Sequence, residues 1–154
     1  MDYQAKLKAP FGVLAIECTD NTLTGIEFLA PGTATQSPRN AFAQEVCEQL
    51  SAYFADADFC FDLPLKLGGT EHQNKVWQAM RAIPRGQVQT YGALAAQIGS
   101  SPRAIGQACG NNPIPVIIPC HRVVGKSGMG GFMHRSGGFA LDIKRWLLAH
   151  EGVP

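Results

Sequence analysis

The segment that most restricts this chain is Asn112-Pro113-Ile114-Pro115-Val116-Ile117-Ile118-Pro119-Cys120-His121-Arg122-Val123-Val124. Proline has no backbone N–H and biases the residue before it away from helical dihedrals, so Pro113, Pro115 and Pro119 point to an extended segment here. An apolar run bracketed in this way is expected to be a buried, extended and rigid lead-in that places the next side chain, Cys120, accurately. His121 and Arg122 follow at once. An imidazole and a permanent cation are the neighbours that lower a thiol pKa and raise its thiolate fraction. Successive strand residues face opposite ways, so contact between Cys120 and His121 requires a bend or a bridging water. A cysteine in apolar surroundings is also a common inert core residue, the reading that suits Cys18, Cys47, Cys60 and Cys109.

The rest of the chain bounds what this segment can belong to. At 154 residues, 45% hydrophobic and 16% charged, it can bury one substantial core or two small ones and is too apolar for a disordered tail. No apolar stretch approaches the ~20 residues of a membrane span, and Met1 to Lys6 lacks the basic-then-apolar layout of a secretory signal. A soluble, intracellular protein without membrane association is expected. Five cysteines without a Cys-x-x-Cys pair suggest reduced thiols. His72, His121, His134 and His150 show no ligand spacing with them, so no metal and no cofactor is expected. Charge is unevenly placed: residues 1–66 carry nine Asp/Glu against four Lys/Arg, and residues 67–154 carry nine Lys/Arg against Glu71, Asp142 and Glu151. The net values, −5 and +6, suggest that the second half meets a polyanion, although two differently solvated faces would read the same way.

Leu7 to Ile16 and Leu23 to Leu29 are rich in strand formers and are split by turn residues at Pro10 to Gly12 and at Thr19-Asp20-Asn21, which predicts an antiparallel ribbon. From Ala41 to Phe54, Phe42, Val46, Leu50 and Phe54 recur every four residues and predict a helix with that stripe inward. A boundary is expected at Pro64 to Gly69, giving domains 1–66 and 67–154. The second opens with Thr70 and Gln73 in capping-box spacing, and Val76, Trp77, Met80 and Ile83 form a buried face. Thr90 caps a short helix over Tyr91, Leu94, Ala95 and Ile98 that ends at Gly99. Ser101 and Pro102 start another, with Ile105, Ala108 and Cys109 inward.

Two short helices joined at Gly99-Ser100-Ser101 have the layout of a helix-turn-helix, although a buried helical hairpin has the same pattern. Arg103, near the start of the second helix in a basic half, favours a role against DNA over a surface ion pair.

The Asn112 to Val124 segment resembles the active-site signature of the O6-alkylguanine-DNA alkyltransferases, the methylated-DNA-protein-cysteine methyltransferases. Val76-Trp77 through Ile83-Pro84-Arg85-Gly86, Thr90 to Ala95 and Arg103 to Gly106 resemble the family's DNA-binding segment, and Trp146 to Gly152 its closing helix. The similarity runs from about Thr70 to Gly152. It implies an α+β (α/β) chain: a small ribonuclease-H-like N-terminal domain with antiparallel strands and a helix, then a mainly helical, winged helix-turn-helix-like domain.

The resemblance further implies that Cys120 takes an alkyl group from the oxygen of O6-alkylguanine, with O4-alkylthymine as a second candidate, in one in-line displacement without regeneration. The family's relay of water, histidine and glutamate falls on His121 and Glu151, with Asn112 bracing the turn. A carboxylate at the C-terminal end of a helix opposes the dipole, which supports a partner for Glu151, and protonated His121 suits it. Tyr91, with Gly92 beside it, would crowd the phosphate and touch the flipped base. Arg103 would fill the vacated space, and Lys126 would contact phosphate. Val123, Tyr91, Trp77 and Phe132 would line the base pocket, Phe132 as the aromatic lid of a loop, Gly128 to Gly138, that is longer than usual in the family. Double-stranded DNA containing alkylated guanine is the expected partner, the chain a monomer, and its place the cytoplasm, at the nucleoid in a bacterium. A non-catalytic module that recognises alkyl damage or regulates on DNA would share the second half but replace the acceptor cysteine. A thiol hydrolase would need an oxyanion site and turnover.

Overall fold

In the computed structural model, which describes residues 2–133 and 138–154, the chain separates into two units, Met1–Leu67 and Gly68–Pro154. The first is built on the ribbon. Strands β1 (Ala5–Ala9), β2 (Gly12–Thr19) and β3 (Thr22–Leu29) pair antiparallel in that order. Leu7 lies opposite Leu14, and Ile16 opposite Ile26, a register that a one-residue slip would destroy by reversing the buried face. Asp20 and Asn21 both have positive φ, 51° and 59°, the pair of left-handed residues that a two-residue hairpin turn requires and that Asp and Asn tolerate best.

Helix α1 (Ala41–Ala55) starts where the Asn40 side chain accepts the Ala43 N–H, and it packs on β1 and β2. Its buried face is Ala43, Val46, Cys47, Leu50 and Tyr53, whereas Phe42 and Phe54 are only half-buried. The predicted every-fourth stripe is therefore corrected to mixed three- and four-residue steps. Steps of four advance about 40° beyond a full turn each time, so Phe42 and Phe54 drift to opposite margins of the face.

The second unit begins with α2 (Glu71–Arg81), whose capping box is complete: the Thr70 hydroxyl accepts the Gln73 N–H and the Gln73 side chain accepts the Thr70 N–H. Val76, Trp77, Met80 and Ile83 are buried. The short strand β4 (Gln89–Thr90) leads into α3 (Tyr91–Ile98), capped by Thr90 and ended by Gly99 at φ 70°. Ser101 caps α4 (Pro102–Gly110), with proline in the first turn, where its missing N–H has no intrahelical acceptor to lose. Helices α3 and α4 pack on each other and on α2. Trp77 Nε1 donates to the Ala108 carbonyl at 2.9 Å, which ties α2 to the far end of α4. A single turn of 3-10 helix (Cys120–Arg122) leads into β5 (Val123–Val124), which pairs parallel with β4, and α5 (Gly138–His150) closes the unit. Among the described residues no helix is long and apolar enough to cross a membrane.

Candidate active site

Residues 114–118 are buried as expected, but they turn instead of extending. The Ile118 N–H donates to the Ile114 carbonyl at 2.9 Å, and Pro115 bridges to Ile118. Asn112 is the reason. Its Oδ1 accepts the Ile114 N–H at 3.0 Å and its Nδ2 donates to the Ile118 carbonyl at 2.8 Å, so one buried amide closes both ends of the loop. The turn holds Val116 at φ 77°, a left-handed conformation that costs a β-branched residue on the order of 1–3 kcal/mol. Prolines on either side and the Asn112 amide leave the backbone little alternative. The expected extended lead-in is thus a turn tied at both ends by Asn112.

The strand expected at Cys120 and His121 is likewise corrected. The chain bends into a 3-10 turn, so the two side chains need not lie on opposite faces of a sheet. His121 is fully buried, and its Nε2 lies 2.9 Å from Glu151 Oε2. Arg122 does not face the thiol. Its Nε donates to Glu151 Oε1 and its Nη2 to Oε2, both at 2.9 Å, while Nη1 donates to the Ile83 carbonyl at 2.6 Å. Glu151, at the end of α5, therefore accepts from two side chains, which resolves its unfavourable place against the helix dipole.

Burial pushes the His121 pKa below 6.5, and it outweighs the opposing pull of the Glu151 hydrogen bond and charge. A pKa below 6.5 favours the neutral ring at pH 7 over the protonated one expected. A neutral imidazole that donates from Nε2 to a carboxylate presents a lone pair at Nδ1. That atom is buried, and nothing among the described residues hydrogen-bonds it.

Cys120 is 3% exposed, and burial raises its thiol from 9.0 to about 11, against smaller opposing effects of the Asn112 amide and the Lys144 charge. The resting sulfur is a thiol, and the expectation of a lowered pKa from His121 and Arg122 is corrected: one ring is neutral and the other cation is engaged by Glu151. The cation that acts on the sulfur is Lys144.

Of the residues expected to meet DNA, Arg103 is exposed in the first turn of α4, and Gly92 is exposed on α3, where an added Cβ would meet nothing within 4 Å. Lys126 is exposed. Tyr91 is half-buried at the start of α3, and its hydroxyl donates to the Gly131 carbonyl at 3.4 Å. Val123 and Phe132 are buried. Trp77 is buried too, but its ring lies against Gly69, where a Cβ would fall 2.8 Å away, and its N–H is committed to α4. Its contacts are those of a helix support. Residues 134–137 of the long loop, His134 included, lie outside the described residues.

Two family models match the chain. The 6-O-methylguanine DNA methyltransferase ribonuclease-like domain covers residues 3–67, and the DNA-binding domain of the same methyltransferase covers residues 71–153. The chain belongs to the 6-O-methylguanine DNA methyltransferase family. It is 43% identical to the methylated-DNA--protein-cysteine methyltransferase of Mycolicibacterium paratuberculosis over 93% of this chain and 88% of the relative. It also resembles the crystal structure of Mycobacterium tuberculosis O6-methylguanine methyltransferase, with a TM-score of 0.79 and 39% identity over 95% of this chain and 90% of that one. The M. tuberculosis OGT solved in complex with DNA matches with a TM-score of 0.78, again at 39% identity over 95% and 90%. The α+β class holds: a ribonuclease-like unit of antiparallel strands and a helix precedes a mainly helical DNA-binding unit.

Two residues of this methyltransferase fold escaped the sequence reading. Arg122 was legible only as a charge, and its grip on Glu151 is a tertiary contact that spacing does not reveal. Lys144 left a signal. On α5 it stands among the buried residues Ala140, Leu141, Ile143, Leu147 and Leu148 at helical spacing, and a lone cation on an apolar face is costly unless something receives it.

Proposed function

We propose that this methyltransferase repairs DNA by moving a methyl or larger alkyl group from O6 of guanine in duplex DNA to Sγ of its own Cys120, once per chain. The observation that carries this reading is the series that runs from half-buried Arg122 through buried Glu151 to buried His121 and ends in an unpartnered Nδ1, one residue from a buried thiol. With Cys120 at about 11, forming the thiolate at pH 7 costs roughly 5 kcal/mol. A base is therefore needed, and Nδ1 supplies it. The thiol proton passes to Nδ1 through a water, as the family's relay implies, and the imidazolium is then stabilised by Glu151.

The thiolate attacks the alkyl carbon in line. The S–C bond forms, the C–O6 bond breaks, and its electron pair stays on the base. In the net reaction the proton lost by the thiol is the one that restored guanine carries at N1, so no cofactor and no second chain is required. Asn112 holds the turn that aims the sulfur. The target oxygen lies inside the duplex, so the nucleotide must be rotated out at a cost of a few kcal/mol. In this reading Tyr91, with Gly92 beside it, meets the phosphate and the everted base, Arg103 fills the gap, and Lys126 touches the backbone. Val123 and Phe132 line the pocket, with O4-alkylthymine as a second substrate. The reaction belongs where the DNA is, in the cytoplasm, at the nucleoid in a bacterium.

Incubation with a duplex containing O6-methylguanine, followed by intact-mass measurement and peptide mapping, should show one methyl per chain on Cys120 and then no further reaction. Continued turnover, or a methyl on Cys18, Cys47, Cys60 or Cys109, would overturn the proposal.

A further inference from the structure

Lys144 is fully buried and has no carboxylate partner among the described residues. A charged amine in that position must be received by dipoles or give up its proton. It is received completely: Nζ donates to the carbonyls of Val123 at 2.7 Å, Met129 at 2.6 Å and Gly131 at 2.8 Å. An ammonium has three N–H donors, and all three are used.

The three acceptors sit at β5 and along the loop that follows it. That loop contains Gly125, Gly128, Gly130 and Gly131, residues that widen the backbone conformations open to it. Gly130, at φ 72°, passes so close to Tyr91 that a Cβ there would lie 2.7 Å from Cε2 and 2.9 Å from the hydroxyl. Lys144 Nζ lies 5.9 Å from the centre of the same ring. One cation thus gathers both ends of a glycine-rich segment around the tyrosine.

In a planar trans peptide, the carbonyl and the following N–H point in opposite directions. Drawing the carbonyls of Met129 and Gly131 onto Nζ therefore fixes the N–H groups of Gly130 and Phe132 on the side away from the lysine. Resting on the reading that this loop lines the base pocket, we propose that Lys144 is a positioning residue that sets the pocket by staging the backbone of residues 123–131. Its charge also acts on the Cys120 sulfur, so the test must separate the two effects.

Lys144→Met keeps the length and apolar packing of the stem and removes the three donors. The full-length variant and wild type would be reacted with free O6-benzylguanine, which must occupy the pocket, and with iodoacetamide, which needs only the sulfur, reading both at Cys120 by peptide mass. Loss of the pocket predicts that the benzylguanine rate falls ~10–100-fold more than the iodoacetamide rate, the scale of lost charge-assisted hydrogen bonds. Equal losses would mean that Lys144 acts through charge on the thiol alone and would overturn the proposal. A wild-type protein inert to O6-benzylguanine and to methylated duplex would instead count against the alkyl-transfer reading itself.

If the variant does not fold, the wild type still decides. A 1H–15N spectrum of the lysine ammonium groups should show one slowly exchanging signal with contacts to the Gly130 and Gly131 protons. Rapid solvent exchange of every lysine signal would refute the staging role.

Discussion

The two units of this methyltransferase differ most in what they bury. Among the described residues, the buried polar or charged side chains are Asn112, His121, Lys144 and Glu151, and all lie in the second unit. The interior of the first is apolar, with Leu14, Ile16, Leu23 and Leu50 fully enclosed and Tyr53 buried beside them, and half-buried Phe11 is set edge-on against Phe28 and Phe54 at its margin. A buried ion or amide without partners costs several kcal/mol, and even a well-paired one is rarely more stable than a hydrophobic replacement. The second unit carries four of them, and the first carries none among the described residues. The units should therefore answer differently to substitution.

The largest expected effect is at Glu151. In Glu151→Gln, Arg122 loses its charge partner in a buried site, which should destabilise the protein by about 3–5 kcal/mol. The amide can also donate to Nε2 of His121, which would move the ring proton to Nδ1 and remove the base. Transfer from methylated duplex should then fall by ~10²–10⁴, the usual contribution of a general base. Chemical denaturation and single-turnover kinetics would measure the two losses, and a variant that kept full rate would remove His121 from the mechanism.

Arg103→Ala and Tyr91→Ala should be smaller and selective. If these residues act by extrusion, transfer from duplex DNA should fall ~10-fold or more beyond any loss with free O6-benzylguanine, since only the duplex carries the cost of unstacking. Equal losses on both substrates would place them in the pocket or the core instead. In the first unit, Leu14→Ala should cost about 2–5 kcal/mol of stability through the cavity it leaves. The transfer rate per folded chain should not change, and a fall in that rate would break the division of labour.

How much of this could be read beforehand depended on the range of the interaction. The hairpin turn at Asp20-Asn21, the capping box at Thr70 and Gln73, and the stop at Gly99 are local devices, and each stands where its residues predicted. The buried face of α1 departs from an every-fourth stripe because a step of four is close to, but not equal to, a helical turn. The Pro113 to Pro119 segment announced burial and rigidity, but its turn is made by Asn112 reaching forward to Ile118, a bond that no periodicity encodes. The protonation states differ from the expectation for a related reason. His121 and Arg122 next to Cys120 suggest an activated thiolate only if both charges face the sulfur, and burial, which sequence does not measure, reversed the sign for Cys120 and His121 alike.

That reversal makes the stability of the second unit depend weakly on pH. The folded pKa of His121 lies below the 6.5 of the free side chain, so between those values the unfolded chain binds a proton that the folded chain refuses. Stability from this group is complete above pH 6.5 and declines as pH falls toward the folded value, by at most about 1.4 kcal/mol per pH unit. Both tryptophans, Trp77 and Trp146, belong to the second unit, and the first contains no histidine. Urea unfolding followed by tryptophan fluorescence from pH 7.5 to 5 should show the decline in wild type, and His121→Gln, though less stable at pH 7.5, should show less of it. The two curves should approach each other as the solution is acidified. If His121 were instead held protonated by Glu151, its folded pKa would exceed 6.5, wild type would gain on the variant with falling pH, and a neutral base at Nδ1 would be untenable.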